Sequence, residues 1–354
     1  MLKLLPLPVV CGLMPLMLCA CSLANGADPG NAVSTADVRA AVERSIPFIE
    51  KQGPWWVKQH GCATCHHVPM MIWSLGELRE RGYKVSETAL RETMAWSLAE
   101  KNHAKVFPDL PLDKNHSEAD YLGPLMTVLA LGAHPNRDEA TEVARQRLLA
   151  HVVTQQAQDG SWHANSSGGR PPVHAPKDVL TSWLLLALSD RAAGQAGDRW
   201  LAQRAAADRW LAENPPSAAH QSIAMRLLVS QRLGKPASET ESIVKKLLDL
   251  QRDDGGWSQT AELPSDAFAT GLTLYVLGGN AARELAQPVA RAQAFLVMSQ
   301  RADGAWPMRS RPAEPPGPGP AKYLVPIEYF GSTWAAIGLA WSIPAIDPQP
   351  HSRR

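Results

Sequence analysis

A seven-residue pattern, Gln-x-x-Asp-Gly-x-Trp, recurs in the second half of the chain and strongly limits the folds that it can adopt. Its three copies start at Gln156, Gln251 and Gln300 and end at Trp162, Trp257 and Trp306. Trp210 lies between the first two copies, so these tryptophans follow one another at intervals of about 48 residues. A worn copy, Gln52-Gly53-Pro54-Trp55, extends the series towards the N-terminus. Fixed spacing of this kind indicates a repeat architecture.

Each repeat has room for two helices, the first of which ends near the motif. The apolar periodicity predicts six pairs: 36–51 with 67–81, 87–101 with 117–133, 137–157 with 177–190, 198–213 with 218–233, 238–251 with 265–278, and 284–300 with 330–343. The first members are amphipathic, whereas several second members, such as 179–188, are apolar nearly all round. A helix that is apolar on every side is buried. The sequence therefore predicts an all-α fold with the first members in an outer ring and the second members in an inner ring.

The stretch Cys62-Ala63-Thr64-Cys65-His66 has the Cys-x-x-Cys-His spacing at which haem c is attached. The two thiols bond to the haem vinyl groups, and the histidine supplies the proximal iron ligand. A local disulfide, part of a zinc site and a thioredoxin-like pair are the alternatives. Zinc would need distant ligands, because no second Cys pair follows the leader, and no strand pattern surrounds the motif as a thioredoxin-like pair requires. The motif predicts covalent haem c held by Cys62, Cys65 and His66.

The first 27 residues have the features of a signal peptide, since Lys3 precedes an apolar run that ends at Ala20 and small residues follow. Leu18-Cys19-Ala20-Cys21 resembles a bacterial lipobox in which Cys21 is lipidated, and ordinary cleavage before Asp28 is the other route. We expect export to the periplasm or cell envelope, with a lipid anchor as the favoured form. A linker at 28–35, a helical domain at 36–345 and a disordered tail at 346–354 are expected to follow.

The charge balance excludes one class of partner. The formal net charge is +1 and the sequence pI is about 7.7, so the chain lacks the basic character that nucleic-acid binding requires. We expect a redox partner protein or a small apolar ligand instead, with the membrane reached through the lipid anchor.

With the motif present three times and six helix pairs, the chain from about 36 to 343 resembles the squalene-hopene cyclase and protein prenyltransferase superfamily, whose members are α/α toroids. The resemblance implies six helical hairpins in two concentric rings around a cavity that suits a long apolar ligand. In that family the repeats are called QW motifs, and they tie the end of an outer helix to its neighbour. Gly160, Gly255 and Gly304 would then be left-handed, and the motif tryptophans would be structural.

The chemistry of that superfamily does not transfer with the fold. Class II cyclases protonate their substrate with an acid in an Asp-x-Asp-Asp motif, which this sequence lacks. Protein prenyltransferases hold zinc through Asp, Cys and His, yet the chain has no Cys after residue 65. Whether the protein is an enzyme is therefore left open, with a haem-dependent oxidoreductase and a cyclase as the two kinds considered.

The haem motif ends where the first inner helix begins, and all inner helices of a toroid start at one rim. We therefore expect the haem at one mouth of the barrel, beside the polar residues at the other helix starts. The candidates for catalysis are Asp120, Asp178, His220 and Asp266. The distal iron ligand is expected from His103, His116, His174 or His220, with water or an open site as the alternative. Ser332 and Thr333 also fall at a predicted helix start, and capping is the structural interpretation of these side chains.

These features lead to one main functional prediction and one alternative. The main prediction is an exported haem c protein with a role in redox chemistry or electron transfer at the cell envelope, with an apolar or isoprenoid ligand in the barrel. The alternative is a non-redox protein that binds or cyclises isoprenoids, or a scaffold without catalysis. In the alternative, Cys62 and Cys65 form a disulfide or part of a metal site.

Overall fold

A computed structural model of the chain describes residues 33–61, 66–99, 102, 119–134, 138–162, 172–173, 175–189, 199–278, 283–311 and 321–346. The predicted signal peptide, Cys21, Cys62 and Cys65 lie outside these ranges, and what the sequence predicts for them stays a prediction. Within the ranges the regular structure is helical, apart from one antiparallel bridge between Gln156 and Trp162. The predicted all-α class is confirmed.

The described residues contain six consecutive pairs of α-helices. The first members are α1 (Thr35–His60), α3 (Glu87–Ser97), α5 (Glu139–Val153), α7 (Leu201–Glu213), α9 (Ala237–Asp249) and α11 (Ala286–Ser299). The second members are α2 (His67–Glu80), α4 (Ala119–Gly132), α6 (Lys177–Leu188), α8 (His220–Arg232), α10 (Ala267–Leu277) and α12 (Ala321–Trp341). Every predicted pair has its counterpart.

The second members form a closed inner ring. α2 packs against α4, and the contacts continue through α6, α8 and α10 to α12, which packs against α2. Each first member packs against the inner helix that precedes it, so α1 lies on α12 and closes the outer ring. Burial follows this division: every residue of α10 is buried, whereas Leu247 alone is buried in α9. The two-ring prediction is confirmed.

The repeated motif holds the rings together through the same bonds in each copy. The glutamine Nε2 donates to the carbonyl of the motif glycine and to a carbonyl of the next outer helix or its start, at Gln203, Pro288 and Ala41. The indole Nε1 donates to the carbonyl ten residues earlier, at Val152, Leu247 and Leu296. The backbone N–H of each motif tryptophan donates to an inner-helix hydroxyl, at Thr181, Thr270 and Ser332. The tryptophans are thus structural, as the resemblance implies.

Two helix boundaries differ most from the prediction, the end of α1 and the start of α12. α1 continues through Pro47 and Pro54 to His60, so residues 52–55 are helical and are not a copy of the motif. A Cβ at Gly53 would overlap with the sulfur of Met71, so this glycine serves close helix packing and not a turn. α12 starts at Ala321 and includes Pro326, which places Ser332 and Thr333 inside the helix and not at its start. In the described ranges, no helix combines the length and apolar character needed to cross a bilayer.

The motif glycines make one stability prediction. Gly304 has a φ of +86°, and a Cβ there would overlap with the carbonyl oxygen of Arg44 on α1. The exposed Gly234 has a φ of +65° and serves as the matched control. We expect Gly234→Ala to lower the free energy of unfolding by about 1 kcal/mol, the cost of the left-handed conformation. Gly304→Ala should lower it by roughly 1–3 kcal/mol more, because the outer ring must open at α1.

Urea denaturation followed by circular dichroism measures both variants. Equal losses for the two substitutions would contradict a tight contact between Gly304 and α1.

Candidate functional site

The segments that lead into successive inner helices are bonded to one another. The carboxylate of Asp178, in the first turn of α6, accepts from the backbone N–H of Ser217, before α8, at 3.0 Å. The backbone N–H of His220 donates to the carbonyl of Gln259, before α10, at 3.3 Å. Gln259 in turn donates to the carbonyl of Arg309, before α12, at 3.3 Å. The starts of α6, α8, α10 and α12 are therefore joined along one rim, which we call the mouth.

Asp266 is the N-cap of α10, as the capping interpretation predicts. Its Oδ1 accepts from the backbone N–H of Ala269 at 2.9 Å, and its Oδ2 accepts from Nε2 of Gln259 at 3.0 Å. The side chain is buried, with 7% of the residue exposed. This burial raises the pKa of Asp266 to about 6, although the bonds from Ala269 and Gln259 act to lower it. The carboxyl group therefore takes up its proton about two pH units above an ordinary aspartate.

Asp266 lines a pocket of about 310 Å³ at the mouth. The rest of the wall is formed by Leu263, Pro264, Ser265, Pro307, Met308 and Arg309. Most of these side chains are apolar, and Asp266 is the acidic residue among them. A concave, mostly apolar wall with a few polar groups is the usual form of a small-molecule site.

His220, the first residue of α8, lies against α10. Its Nε2 is 2.6 Å from Oγ1 of Thr273, and that hydroxyl donates to the carbonyl of Ala269 at 2.9 Å. Because the hydroxyl has a single proton, it accepts from His220, whose Nε2 must carry hydrogen. Burial, and next the positive charge of Arg311, lower the pKa of His220 to about 3. The ring is therefore neutral at physiological pH, with a bare Nδ1.

Arg311 provides the cation of this group. Burial lowers the pKa of Arg311 to about 10, while the negative charge of Asp266 acts to raise it. The guanidinium stays charged at neutral pH and acts on both Asp266 and His220. We call His220, Gln259, Asp266, Thr273 and Arg311 the mouth cluster.

Sequence reasoning found His220 and Asp266 but missed Gln259, Thr273 and Arg311. Gln259 follows the motif Trp257 by two residues, and Arg311 precedes a proline-rich run. Neither position carries a recognisable signal in the sequence.

The other candidates are placed differently. Asp178 is buried but is engaged with Ser217 and does not line the pocket. Asp120 falls in the first turn of α4, with a side chain that is not described. His103, His116 and His174 lie outside the described residues. Of the predicted site residues whose side chains the structure describes, His220 and Asp266 are brought into one group through Gln259.

His66 caps α2, so the haem motif ends at the start of the first inner helix as predicted. Its Nδ1 accepts from the backbone N–H of His67 at 2.9 Å and lies 2.5 Å from Nδ1 of His67. A ring that accepts at Nδ1 carries its proton on Nε2, whereas an iron-bound histidine donates from Nδ1. The described ring of His66 therefore does not fit a proximal ligand without turning and giving up this cap.

The residues around His66 form an aromatic stack. The ring of His67 lies between Trp56, at 4.3 Å and 15°, and Tyr329, at 4.2 Å and 9°. Burial, then the charges of His66 and His60, hold the pKa of His67 well below its usual range. Among the residues that the structure describes, no three His, Cys, Asp or Glu side chains meet in a metal-binding group. His220 contacts Thr273 and Gln259, so it belongs to a different group from His66.

Comparison with known proteins gives a sequence match over one part of the chain. No protein-family model matches it. Drimenyl diphosphate synthase from Streptomyces showdoensis is 32% identical over 117 residues, which are 33% of this chain and 21% of that protein. The match thus spans about a fifth of the length of the relative.

The solved structures that resemble the chain are toroids. The type II terpene cyclase MstE from Scytonema, in complex with its substrate geranylgeranyl dihydroxybenzoate, superposes with a TM-score of 0.55 at 15% identity, over 88% of this chain and 99% of that chain. A glycosyl hydrolase of family 88 from Bacteroides vulgatus also has a TM-score of 0.55, at 11% identity, over 88% and 100% of the two chains. The chain has a terpene cyclase-like α/α-toroid fold.

These comparisons correct the main functional prediction. A role in redox chemistry or electron transfer is wrong, since the sequence relative is a diphosphate synthase of the terpene class and the fold neighbours include a terpene cyclase. The redox prediction depended on the five-residue Cys-x-x-Cys-His spacing, whereas the Gln-x-x-Asp-Gly-x-Trp repeat determines the fold. The alternative, a protein that binds or cyclises isoprenoids, agrees better with the findings.

Haem attachment is a separate prediction that depends on Cys62 and Cys65. If the thiols carry haem c, protein from a host with cytochrome c maturation should show a c-type pyridine haemochrome spectrum and the added mass of one haem. Both should disappear when Cys62→Ala and Cys65→Ala are combined, because the thioether bonds cannot form. An apoprotein mass and no haemochrome under these conditions would contradict the prediction.

Proposed function

We propose that the protein is an isoprenoid cyclase of the acid-initiated type, in which Asp266 is the general acid. The observation that carries this proposal is a buried carboxyl group with a raised pKa in the wall of a mostly apolar pocket. Strong perturbation of a titratable group inside a cleft is typical of catalytic acids.

Asp266 is better suited to donate a proton than the other candidates. His220 is neutral because its pKa is lowered to about 3, so it offers no imidazolium. Asp178 accepts a backbone hydrogen bond from Ser217 and lies away from the pocket wall. Asp266 combines access to the pocket with a pKa of about 6, so a large fraction of the carboxyl groups is protonated in mildly acidic solution.

The surroundings of Asp266 also favour the state that follows proton transfer. When the carboxyl proton moves to a carbon–carbon double bond of the substrate, a new C–H bond forms and a carbocation remains opposite a carboxylate. The N–H groups of Ala269 and Gln259 already point at the two carboxylate oxygens. The charge of Arg311 adds to their effect. Donors that are in place before the reaction stabilise the developing charge without reorganisation.

The apolar wall of the pocket and the proteins similar to this chain indicate the class of substrate. Leu263, Pro264, Pro307 and Met308 make the pocket suitable for a hydrocarbon chain. The printed substrate of MstE carries a geranylgeranyl chain, and the sequence relative is named for a prenyl diphosphate product. The segment Leu263-Pro264-Ser265-Asp266 contains one carboxylate, and the sequence lacks the Asp-x-Asp-Asp motif of class II cyclases. A single acid is therefore assigned to this protein.

Replacing the acid tests the proposal. Asp266→Asn keeps an acceptor for the N–H of Ala269 but has no transferable proton, so we expect cyclised product to fall at least about 100-fold. Asp178→Asn is the matched control, because it neutralises another buried carboxylate at an inner-helix start that does not line the pocket. Products from geranylgeranyl dihydroxybenzoate and a panel of linear prenyl diphosphates are measured by mass spectrometry. Equal turnover by wild type and Asp266→Asn would remove Asp266 from the mechanism.

The pH dependence provides a second test. The pKa of Asp266 is raised to about 6, and only the protonated form can donate. We expect the single-turnover rate to be constant at low pH and to fall about tenfold per pH unit above about pH 6. A rate that rises between about pH 5 and pH 8 would contradict the role of Asp266, since it would require an ionised base.

A further inference from the structure

Among the residues that the structure describes, three buried acceptor atoms at the mouth have no hydrogen-bond partner. They are Nδ1 of His220, Oε1 of the adjacent Gln221, and Oε1 of Gln259. Each residue is no more than 2% exposed. A buried acceptor that has lost water without gaining a donor is unfavourable, and such atoms are uncommon in native proteins. Three of them on adjoining segments indicate a site for a donor.

The chemical identity of each atom is determined by its neighbours. Nε2 of Gln259 faces the carbonyl of Arg309, and Nε2 of Gln221 faces the carbonyl of Pro172 at 3.3 Å. A carbonyl can only accept, so the side-chain amide atom that faces it is the nitrogen in both glutamines. The side-chain amide oxygens are then the atoms without a partner. The Thr273 hydroxyl similarly places the His220 proton on Nε2. All three orphaned atoms are therefore acceptors.

One of the acceptors, on Gln259, belongs to a side chain that contacts the wall of the pocket proposed for the substrate. The side chain of Gln259 bonds to two residues of the pocket wall, Asp266 and Arg309. His220 is joined to Gln259 by a backbone bond. A polar group at this end of the pocket would thus approach acceptors and a carboxyl group.

We propose that the site takes an isoprenoid whose polar end is a hydroxyl, and not a phosphate or carboxylate. A hydroxyl donates its single proton to one of the orphaned acceptors. A phosphate at neutral pH presents acceptor oxygens to acceptors of the same kind. The charge of Arg311, which would attract an anion, is opposed by the neighbouring Asp266. This inference rests on the proposed isoprenoid function.

Equilibrium binding of three matched ligands tests the preference for a hydroxyl end and does not require catalytic turnover. Geranylgeraniol, its methyl ether and geranylgeranyl diphosphate share one chain and differ in the polar end. We expect the alcohol to bind the wild-type protein at least about tenfold more tightly than the ether, which has no donor, and more tightly than the diphosphate. Dissociation constants are measured by calorimetry at equal detergent concentration.

Two variants test whether the preference for the alcohol over the ether arises at the mouth. Gln259→Met removes one acceptor at similar volume and should bring the alcohol-to-ether ratio towards one. Gln231→Met is the control. Gln231 lies on α8, the helix that begins with His220, but its side chain donates to the carbonyl of Val276, near the end of α10 away from the mouth. Circular dichroism checks that both variants fold. If Gln259→Met does not fold, the comparison of the three ligands on the wild-type protein decides the proposal.

The outcomes separate this inference from the proposed function. Equal binding of alcohol and ether would overturn the hydroxyl assignment alone, because water would then satisfy the acceptors. Tightest binding of the diphosphate would also overturn it alone. Failure of all three ligands to bind would overturn both the assignment and the isoprenoid function.

Discussion

The hydrogen bonds of the motif glutamines and tryptophans are the constraint on which the toroid depends. Each motif tryptophan is fully buried. Its indole N–H donates to the preceding outer helix, and its backbone N–H donates to an inner helix. Each glutamine reaches the next outer helix. In the last copy the bond runs from Gln300 to the carbonyl of Ala41, across 259 residues, and so joins the two ends of the helical domain. This bond, together with the packing of α12 against α1 and α2, closes the repeat stack into a ring.

Closure of the ring explains why the polar residues gather at one rim. Since first and second members alternate, the inner helices all begin on the same side, and their capping residues become neighbours. Asp266 shows the consequence, because it is a cap by its bond to Ala269 and an acid by its burial. The two properties depend on each other: the cap holds the carboxyl group in a place where desolvation raises its pKa.

The sequence was sufficient for the architecture because the period and the apolar pattern are both local signals. All six pairs were predicted, and the left-handed glycines of the motif were expected from its form. The start of α12 was missed, because the helix begins at Ala321 and includes Pro326, a residue type that usually breaks a helix. Gln259 and Arg311 were missed for another reason: no local pattern marks either position, and Arg311 acts on His220 and Asp266 of other repeats. The haem-based function failed because a short spacing carries no information about the fold around it.

A buried carboxylate at the opposite end of the inner ring shows which end holds the chemistry. Glu77, near the end of α2, accepts from the Tyr275 hydroxyl at 2.7 Å, from Nε1 of Trp341 at 2.8 Å and from Nε1 of Trp73 at 3.3 Å. Those donors come from α2, α10 and α12, so both oxygens of Glu77 are engaged in joining three inner helices. At the mouth, by contrast, acceptor atoms of His220, Gln221 and Gln259 are buried without a donor among the residues that the structure describes. Glu77 is therefore committed to holding the inner helices together, whereas the acceptors at the mouth can take a donor from a ligand.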